Sequence, residues 1–231
     1  MRSPSHLSPR QQDRGTLQSD SDGEHYASRC ECFLQETAAL RGQIEAERRL
    51  NPDQETELHE LAGRLGIEPP LDGNYQIYRE LWAAEHNEQV YLPLRDVPIQ
   101  LRADEQCCFA EPAVWRQPDP HHSGASLSRF SCVFPLTKLA SYRIGRISAR
   151  YRPLEGSREM ATGSLYITNL KLFFDSGGLS TAIIFTGIAN IECYANGIEV
   201  GKSNGRTEFF QMTRLASEYA YMIVQELNRQ R

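Results

Sequence analysis

The chain predicts an α+β fold: an N-terminal helical region, then an antiparallel curled sheet or barrel closed by a C-terminal helix. Three observations point to it. Apolar residues recur at three- and four-residue spacing up to about Glu88, the period drops towards two from Val97 onward, and the last segment, Arg214 to Arg229, returns to helical spacing.

The first 24 residues hold scattered Ser, Pro, Gly and charge with almost no large apolar side chains, too few to offset the entropy of ordering them, and read as a disordered leader. Tyr26, Cys30, Phe33, Thr37, Leu40 and Ile44 then fall on one stripe of a helix expected from about His25 to Arg49. That stripe suits packing on its own neighbours; it is also a candidate surface for a partner protein or a homodimer through residues 25–49. The next helix declares both ends, with Asn51 as N-cap, Pro52 at the first position, Gln54 completing a capping box, and Gly66 as the stop. A third helix, about Asn74 to Glu88, offers Tyr75, Tyr78, Leu81 and Trp82 to one side.

Strand character follows at Val97–Leu101 and Glu105–Trp115, separated by the polar turn Arg102-Ala103-Asp104. After a hydrophilic loop, Gln117 to Arg129, strands are expected at about Gly145–Arg152, Ser164–Phe174, Thr181–Thr186, Ile188–Tyr194, Ile198–Gly201 and Thr207–Met212. Asn196-Gly197 and Asn204-Gly205 are each the dipeptide favoured at the centre of a type I′ hairpin turn, so the last strands form a meander. In the closing helix Leu215, Tyr219, Ile223 and Leu227 recur every four residues, a stripe that must be buried against the sheet. The expected organisation is a leader at 1–24, a helical region at 25–90 and a sheet domain at 93–231.

Composition excludes several classes of function. With 40% hydrophobic and 24% charged residues, and no run of 18 apolar residues, the chain reads as soluble, with neither a transmembrane segment nor the apolar core of a signal peptide, hence cytoplasmic. The net charge of −5 is unevenly spread: residues 1–136 carry 13 Lys/Arg against 22 Asp/Glu, and residues 137–231 carry 12 against 8. This modest basic excess suits phosphate or an acidic protein surface and falls short of a dedicated nucleic-acid binder. The six cysteines lack Cys-x-x-Cys spacing and read as buried reduced thiols.

Gly163, Leu165, Tyr166, Ile167, Thr168, Asn169, Leu172 and Phe174 follow the pattern of the central strand of GRAM domains, and the segment resembles GRAM and pleckstrin-homology-like domains. The resemblance is nearest to a group of uncharacterised bacterial proteins with such a C-terminal domain. It extends to Tyr142-Arg143-Ile144-Gly145, Val97-Pro98-Ile99, Cys107-Cys108-Phe109, Trp115, Ile188, Ile191 and Tyr194-Ala195-Asn196-Gly197-Ile198, covering about Pro93 to Gln230. It implies a binding architecture. The chain departs from the group at Leu170-Lys171, where Lys-Arg is usual, which weakens any ligand contact resting on that arginine.

The expected strand Gly145–Arg152 places Arg146, Ser148, Arg150 and Arg152 on one face and Ile147, Ala149 and Tyr151 on the other. Three arginines on an exposed face are suited to gripping a phosphorylated head group or an acidic patch; the same pattern also describes a solvated face kept soluble by charge. Lys138 with Arg150 and Arg152 resembles the basic signature with which some pleckstrin-homology domains hold phosphoinositides. The candidate ligand-binding set is therefore Lys138, Arg143, Arg146, Arg150, Arg152 and Lys171. Gly197 to Ser203 is one residue short of a phosphate-binding loop and leads into no helix. Asp119, His121, His122 and Cys132 match no metal-ligand or nucleophile spacing, and alternation at Cys107-Cys108 predicts one thiol inward and one outward. The expected function is a non-catalytic binding module without metal or cofactor, peripheral at a membrane where its partner is lipid. The other reading is a scaffold whose N-terminal helices bind a partner or dimerise.

Overall fold

The computed structural model describes residues 17–86, 88, 90, 92, 94–118 and 150–229. The architecture is α+β: four helices, a seven-stranded antiparallel sheet that does not close into a barrel, and a C-terminal helix. The chain divides into two compact units between Tyr75 and Gln76, inside the fourth helix.

In the first unit, α1 (Leu17–Glu36) begins eight residues before the expected His25, so residues 17–24 are helical rather than part of a leader. The expected single helix is interrupted at Thr37, whose hydroxyl donates to the Phe33 carbonyl at 2.7 Å, and resumes as α2 (Ala38–Glu47). A Thr that bonds back to the carbonyl four residues earlier bends a helix. α3 (Pro52–Leu65) has the predicted ends: Asn51 Oδ1 accepts the Gln54 N–H at 2.8 Å, Gln54 Oε1 accepts the Asn51 N–H at 3.1 Å, and the Ile67 N–H closes on the Ala62 carbonyl beyond Gly66. Phe33, Ile44, Leu50, Leu58, Leu61, Ala62 and Tyr75 are buried in this unit. α4 (Gly73–Glu85) ends three residues short of the expected Glu88.

The sheet contains β1 (Cys107–Pro118), β2 (Ser157–Thr168), β3 (Lys171–Asp175), β4 (Ser180–Ile184), β5 (Ile188–Tyr194), β6 (Gly197–Lys202) and β7 (Thr207–Gln211), in the order β4-β3-β2-β1-β7-β6-β5. Two meanders are thus joined where β1 pairs with β7. α5 (Arg214–Arg229) covers one face, matching the expected helix, and its Tyr219, Ala220, Ile223, Val224 and Leu227 pack with Phe109, Trp115, Leu165, Ile167, Leu172, Phe174, Ile198, Val200 and Phe210 of the sheet. No described helix is long and apolar enough to cross a membrane.

Several strands depart from expectation. Val97–Leu101 is not a strand; Pro98 within it cannot donate to a ladder. Ser164–Phe174 is not one strand but the β2–β3 hairpin, because the Thr168 hydroxyl accepts the N–H groups of Leu170 and Lys171 at 3.1 Å each and turns the chain. The Asn-Gly turns lie one residue off. Tyr194 pairs with Gly197, so Ala195 and Asn196 are the central residues, and neither has positive φ as a type I′ turn requires. In the other hairpin the Gly205 N–H closes on the Lys202 carbonyl around Ser203-Asn204, with Gly205 at φ 81° following as a bulge.

Gly163, midway along β2, has a packing role. A Cβ on Gly163 would lie 2.2 Å from the Asp175 carbonyl oxygen, where the end of β3 crosses β2. Gly163→Ala is expected to destabilise the fold by roughly 1–3 kcal/mol in urea unfolding, because backbone must move to admit the methyl. Gly178→Ala, with no atom within 4 Å of its added Cβ, is expected to stay within about 0.5 kcal/mol of the native chain.

Candidate functional site

Of the six candidate ligand residues, Lys138, Arg143 and Arg146 lie outside the described residues. Arg150, Arg152 and Lys171 are placed, and the structure treats them differently.

Arg150 to Arg152 belong to no strand. They are laid across the β5–β6 turn: the Ala195 N–H donates to the Arg150 carbonyl at 2.8 Å, and the Asn196 amide grips both backbone groups of Arg152, accepting its N–H at 2.9 Å and donating to its carbonyl at 3.0 Å. The Asn of Asn196-Gly197 therefore acts as a backbone mimic holding this segment. Without strand alternation the expected faces are reversed: Tyr151 is 72% exposed while Arg152 is 9% exposed. The Arg152 guanidinium donates to Glu199 and lies over the Phe209 ring, 4.6 Å from its centroid. Burial, reinforced by Glu192, pushes the Glu199 carboxyl above the usual carboxylate range, and Arg152 opposes that rise. Arg152 is thus an internal counter-ion, and Arg150 is the described member of the set that faces solvent.

Lys171 is also committed. Its Nζ lies 3.2 Å from Glu105, whose side chain is fully enclosed, and 5.5 Å from the centroid of the Phe173 ring. Glu105 further accepts the Thr168 hydroxyl at 2.8 Å. Asn169 completes the clamp: its Oδ1 accepts the Gln106 N–H at 2.8 Å and its Nδ2 donates to the Asp104 carbonyl at 2.9 Å. Burial raises the Glu105 pKa, but hydrogen bonds from Thr168, Lys171 and the Arg102 amide outweigh it and hold the carboxyl below its ordinary value. Thr168, Asn169 and Lys171 together fasten the 102–106 segment to the β2–β3 turn.

A third enclosed or partly enclosed carboxylate, Glu208, was not singled out from the sequence. It accepts the indole N–H of Trp115, the Gln117 amide at 3.2 Å and the Lys202 ammonium at 2.5 Å. Alternation within β7 puts Glu208 on the face of Phe210, which was the available signal. Two exposed arginines were also missed: Arg158 near the start of β2 and Arg206 in the β6–β7 turn. The register places them at the same end of the sheet, where β1 ends at Pro118.

Among the described residues the remaining candidate groups are buried or committed to the ladder. A bulge between Cys107 and Phe109 breaks the alternation, and both Cys107 and Cys108 are buried rather than one facing out. Burial pushes the Cys108 thiol up to about 11 and the Cys193 thiol to about 12, so both remain protonated near neutral pH. Gly197–Lys202 is β6, laddered on both sides to β5 and β7, which leaves no phosphate cradle. Among the described residues no group of three or more His, Cys, Asp or Glu is placed to hold a metal ion. Asp119, His121, His122 and Cys132 lie outside the described residues.

Two measurements check these assignments. Arg152→Ala, which leaves the partly buried Glu199 without its counter-ion, is expected to cost about 2 kcal/mol in urea unfolding at neutral pH. Arg150→Ala is expected to change stability by less than about 0.5 kcal/mol. Because the folded Glu105 pKa is depressed, its contribution to stability is complete above the ordinary Glu value and is lost as the pH falls through the folded value. Glu105→Gln is expected to flatten the acid-side loss of stability between about pH 6 and about pH 3; equal slopes for both proteins would refute the clamp as its source.

No family model and no curated protein matches the chain.

Proposed function

We propose that this chain is a non-catalytic binding module that docks an anionic partner, lipid head group or acidic protein surface, through the basic connection between β1 and β2. The observation that carries the reading is the contrast between described cations of the sheet domain that are paired and the charge composition of the connection. Within the sheet domain Arg152, Lys171, Lys202 and Arg116 each face a carboxylate: Glu199, Glu105, Glu208 and Glu159 respectively. The connection, residues 119–156, carries five Lys/Arg besides Arg152, namely Arg129, Lys138, Arg143, Arg146 and Arg150, against two Asp/Glu. It leaves the sheet at Pro118, at the end that also bears Arg158 and Arg206.

The order β4-β3-β2-β1-β7-β6-β5 with a helix over one face supports the GRAM and pleckstrin-homology-like resemblance, since it is a sequential meander whose first and last strands meet. Such a sheet presents its inter-strand connections to a partner and keeps its apolar face for its own helix. In this reading the protein is cytoplasmic and peripheral at an anionic membrane surface when lipid is the partner.

A second reading, a scaffold whose N-terminal helices bind a partner protein or dimerise, is favoured by one observation. Tyr26 (47% exposed) and Leu34 (39% exposed) stand eight residues apart on α1 with Cys30 between them, an apolar stripe without cover in its own unit.

Co-sedimentation with neutral and anionic vesicles tests the first reading. The native chain is expected to pellet with anionic vesicles in a salt-dependent manner, and Arg143→Glu/Arg146→Glu/Arg150→Glu, with Arg152 kept to preserve the fold, to bind at least about tenfold more weakly. A native chain that stays in the supernatant with every vesicle eliminates lipid, and undiminished binding by the triple variant eliminates the connection as the site.

A further inference from the structure

The free edge of the sheet at β4 points to an interaction surface of another kind. Ser180, Thr181, Ala182, Ile183 and Ile184 carry no charge and no proline, two of the devices by which natural edge strands block pairing. Among the described residues β4 pairs only with β3.

The ladder fixes which backbone groups face outward. The Ser176 N–H donates to the Leu179 carbonyl and the Phe185 N–H to the Leu170 carbonyl, so these are hydrogen-bonded positions of the β3–β4 pair. Alternation between those ends makes Asp175–Ser180, Phe173–Ala182 and Lys171–Ile184 the non-hydrogen-bonded pairs. The N–H and C=O groups of Ser180, Ala182 and Ile184 therefore point to the free edge. Their side chains share the outer face and are exposed, Ile184 at 59%.

We infer that β4 pairs with β4 of a second copy of this chain, antiparallel about a two-fold axis at Ala182, to form a continuous sheet across a homodimer. In that register Ala182 faces Ala182, and Ser180 faces Ile184 of the second copy. Each outward N–H and C=O of Ser180, Ala182 and Ile184 then meets a partner, which no register shifted by a hydrogen-bonded pair achieves. The side chains that face one another in this register, Ser180, Ala182 and Ile184, carry no charge, so a second copy meets no like-charge repulsion along the seam. A two-fold contact of one patch with itself is also the commonest symmetry of protein assemblies.

Sedimentation equilibrium of the full chain tests this. The native chain is expected to show a monomer–dimer equilibrium up to about 100 µM, and Ala182→Lys, which sets like charges opposite each other at the axis, to weaken it at least about tenfold. Ala182→Pro removes an N–H that β3 does not use, and is expected to do the same while leaving the urea midpoint of the monomer nearly unchanged. Ala182→Cys is expected to oxidise to a cross-linked dimer, since facing Cα atoms in a hydrogen-bonded pair lie about 5.5 Å apart, within disulfide reach; Thr181→Cys and the native chain serve as controls. A native chain that is monomeric throughout overturns the inference. So does a dimer that Ala182→Lys leaves intact and Tyr26→Glu/Leu34→Glu dissolves, which locates self-association on α1.

Discussion

The sheet depends on the short seam between β1 and β7. Only Val114, Trp115 and Arg116 pair with Gln211, Phe210 and Phe209, yet this contact joins a four-stranded meander to a three-stranded one. Three residue pairs are a weak ladder by themselves, and side chains reinforce them. Trp115 and Gln117 of β1 donate to Glu208 of β7, and the Arg116 guanidinium donates to Gln211 at 2.8 Å. Separated, each meander would leave one large apolar face to water, because α5 is seated on strands from both. The stack of Trp115, Phe174 and Phe210, with ring centroids near 6 Å, spans the seam and ties the two halves into one core.

Securing the seam places a carboxylate inside the sheet, and two other carboxylates of this unit are handled in the same way. Glu208, Glu105 and Glu199 each have an ammonium or guanidinium within hydrogen-bonding distance and at least one further donor or ring against that pair. A buried ion pair adds little over an apolar pair of the same shape, but an unpartnered buried charge costs several kcal/mol, so these pairs act chiefly to exclude other arrangements. Only one registration of β6 against β7 brings Lys202 to Glu208, and only one placement of residues 150–152 brings Arg152 to Glu199. The basic half of the chain thus spends much of its positive charge internally.

What was legible in the sequence follows the range of the interactions. α3 and α5 were read to within a residue because caps and four-residue periodicity are local signals, complete within the segment itself. The hairpins at Asn196 and Asn204 were located for the same reason. Their type was not, because the register that moves Asn196 out of φ > 0 is set by β7 and by the Arg152 backbone it holds. The β2–β3 turn was hidden inside what reads as one alternating strand, since Thr168 turns the chain only when its hydroxyl is oriented by Glu105, 63 positions away. Arg152 was misread for the same cause: two-residue alternation applies only in a strand, and a counter-ion 47 positions distant cannot be seen from it.

The residues on which the sequence resemblance rests gain a physical meaning from the structure. Gly163 clears the Asp175 backbone, Thr168 makes the turn, Asn169 fastens the 102–106 segment, and Leu165, Ile167, Leu172 and Phe174 fill the core. None of these side chains is offered to a ligand. A pattern of this kind reports a way of building the sheet, and two proteins can share it while binding unrelated partners. Specificity must therefore come from residues the pattern omits. On the readings proposed above those are the connection between β1 and β2, with its six Lys/Arg, Arg152 among them, against two Asp/Glu, and the uncharged edge at β4, which among the described residues pairs only with β3.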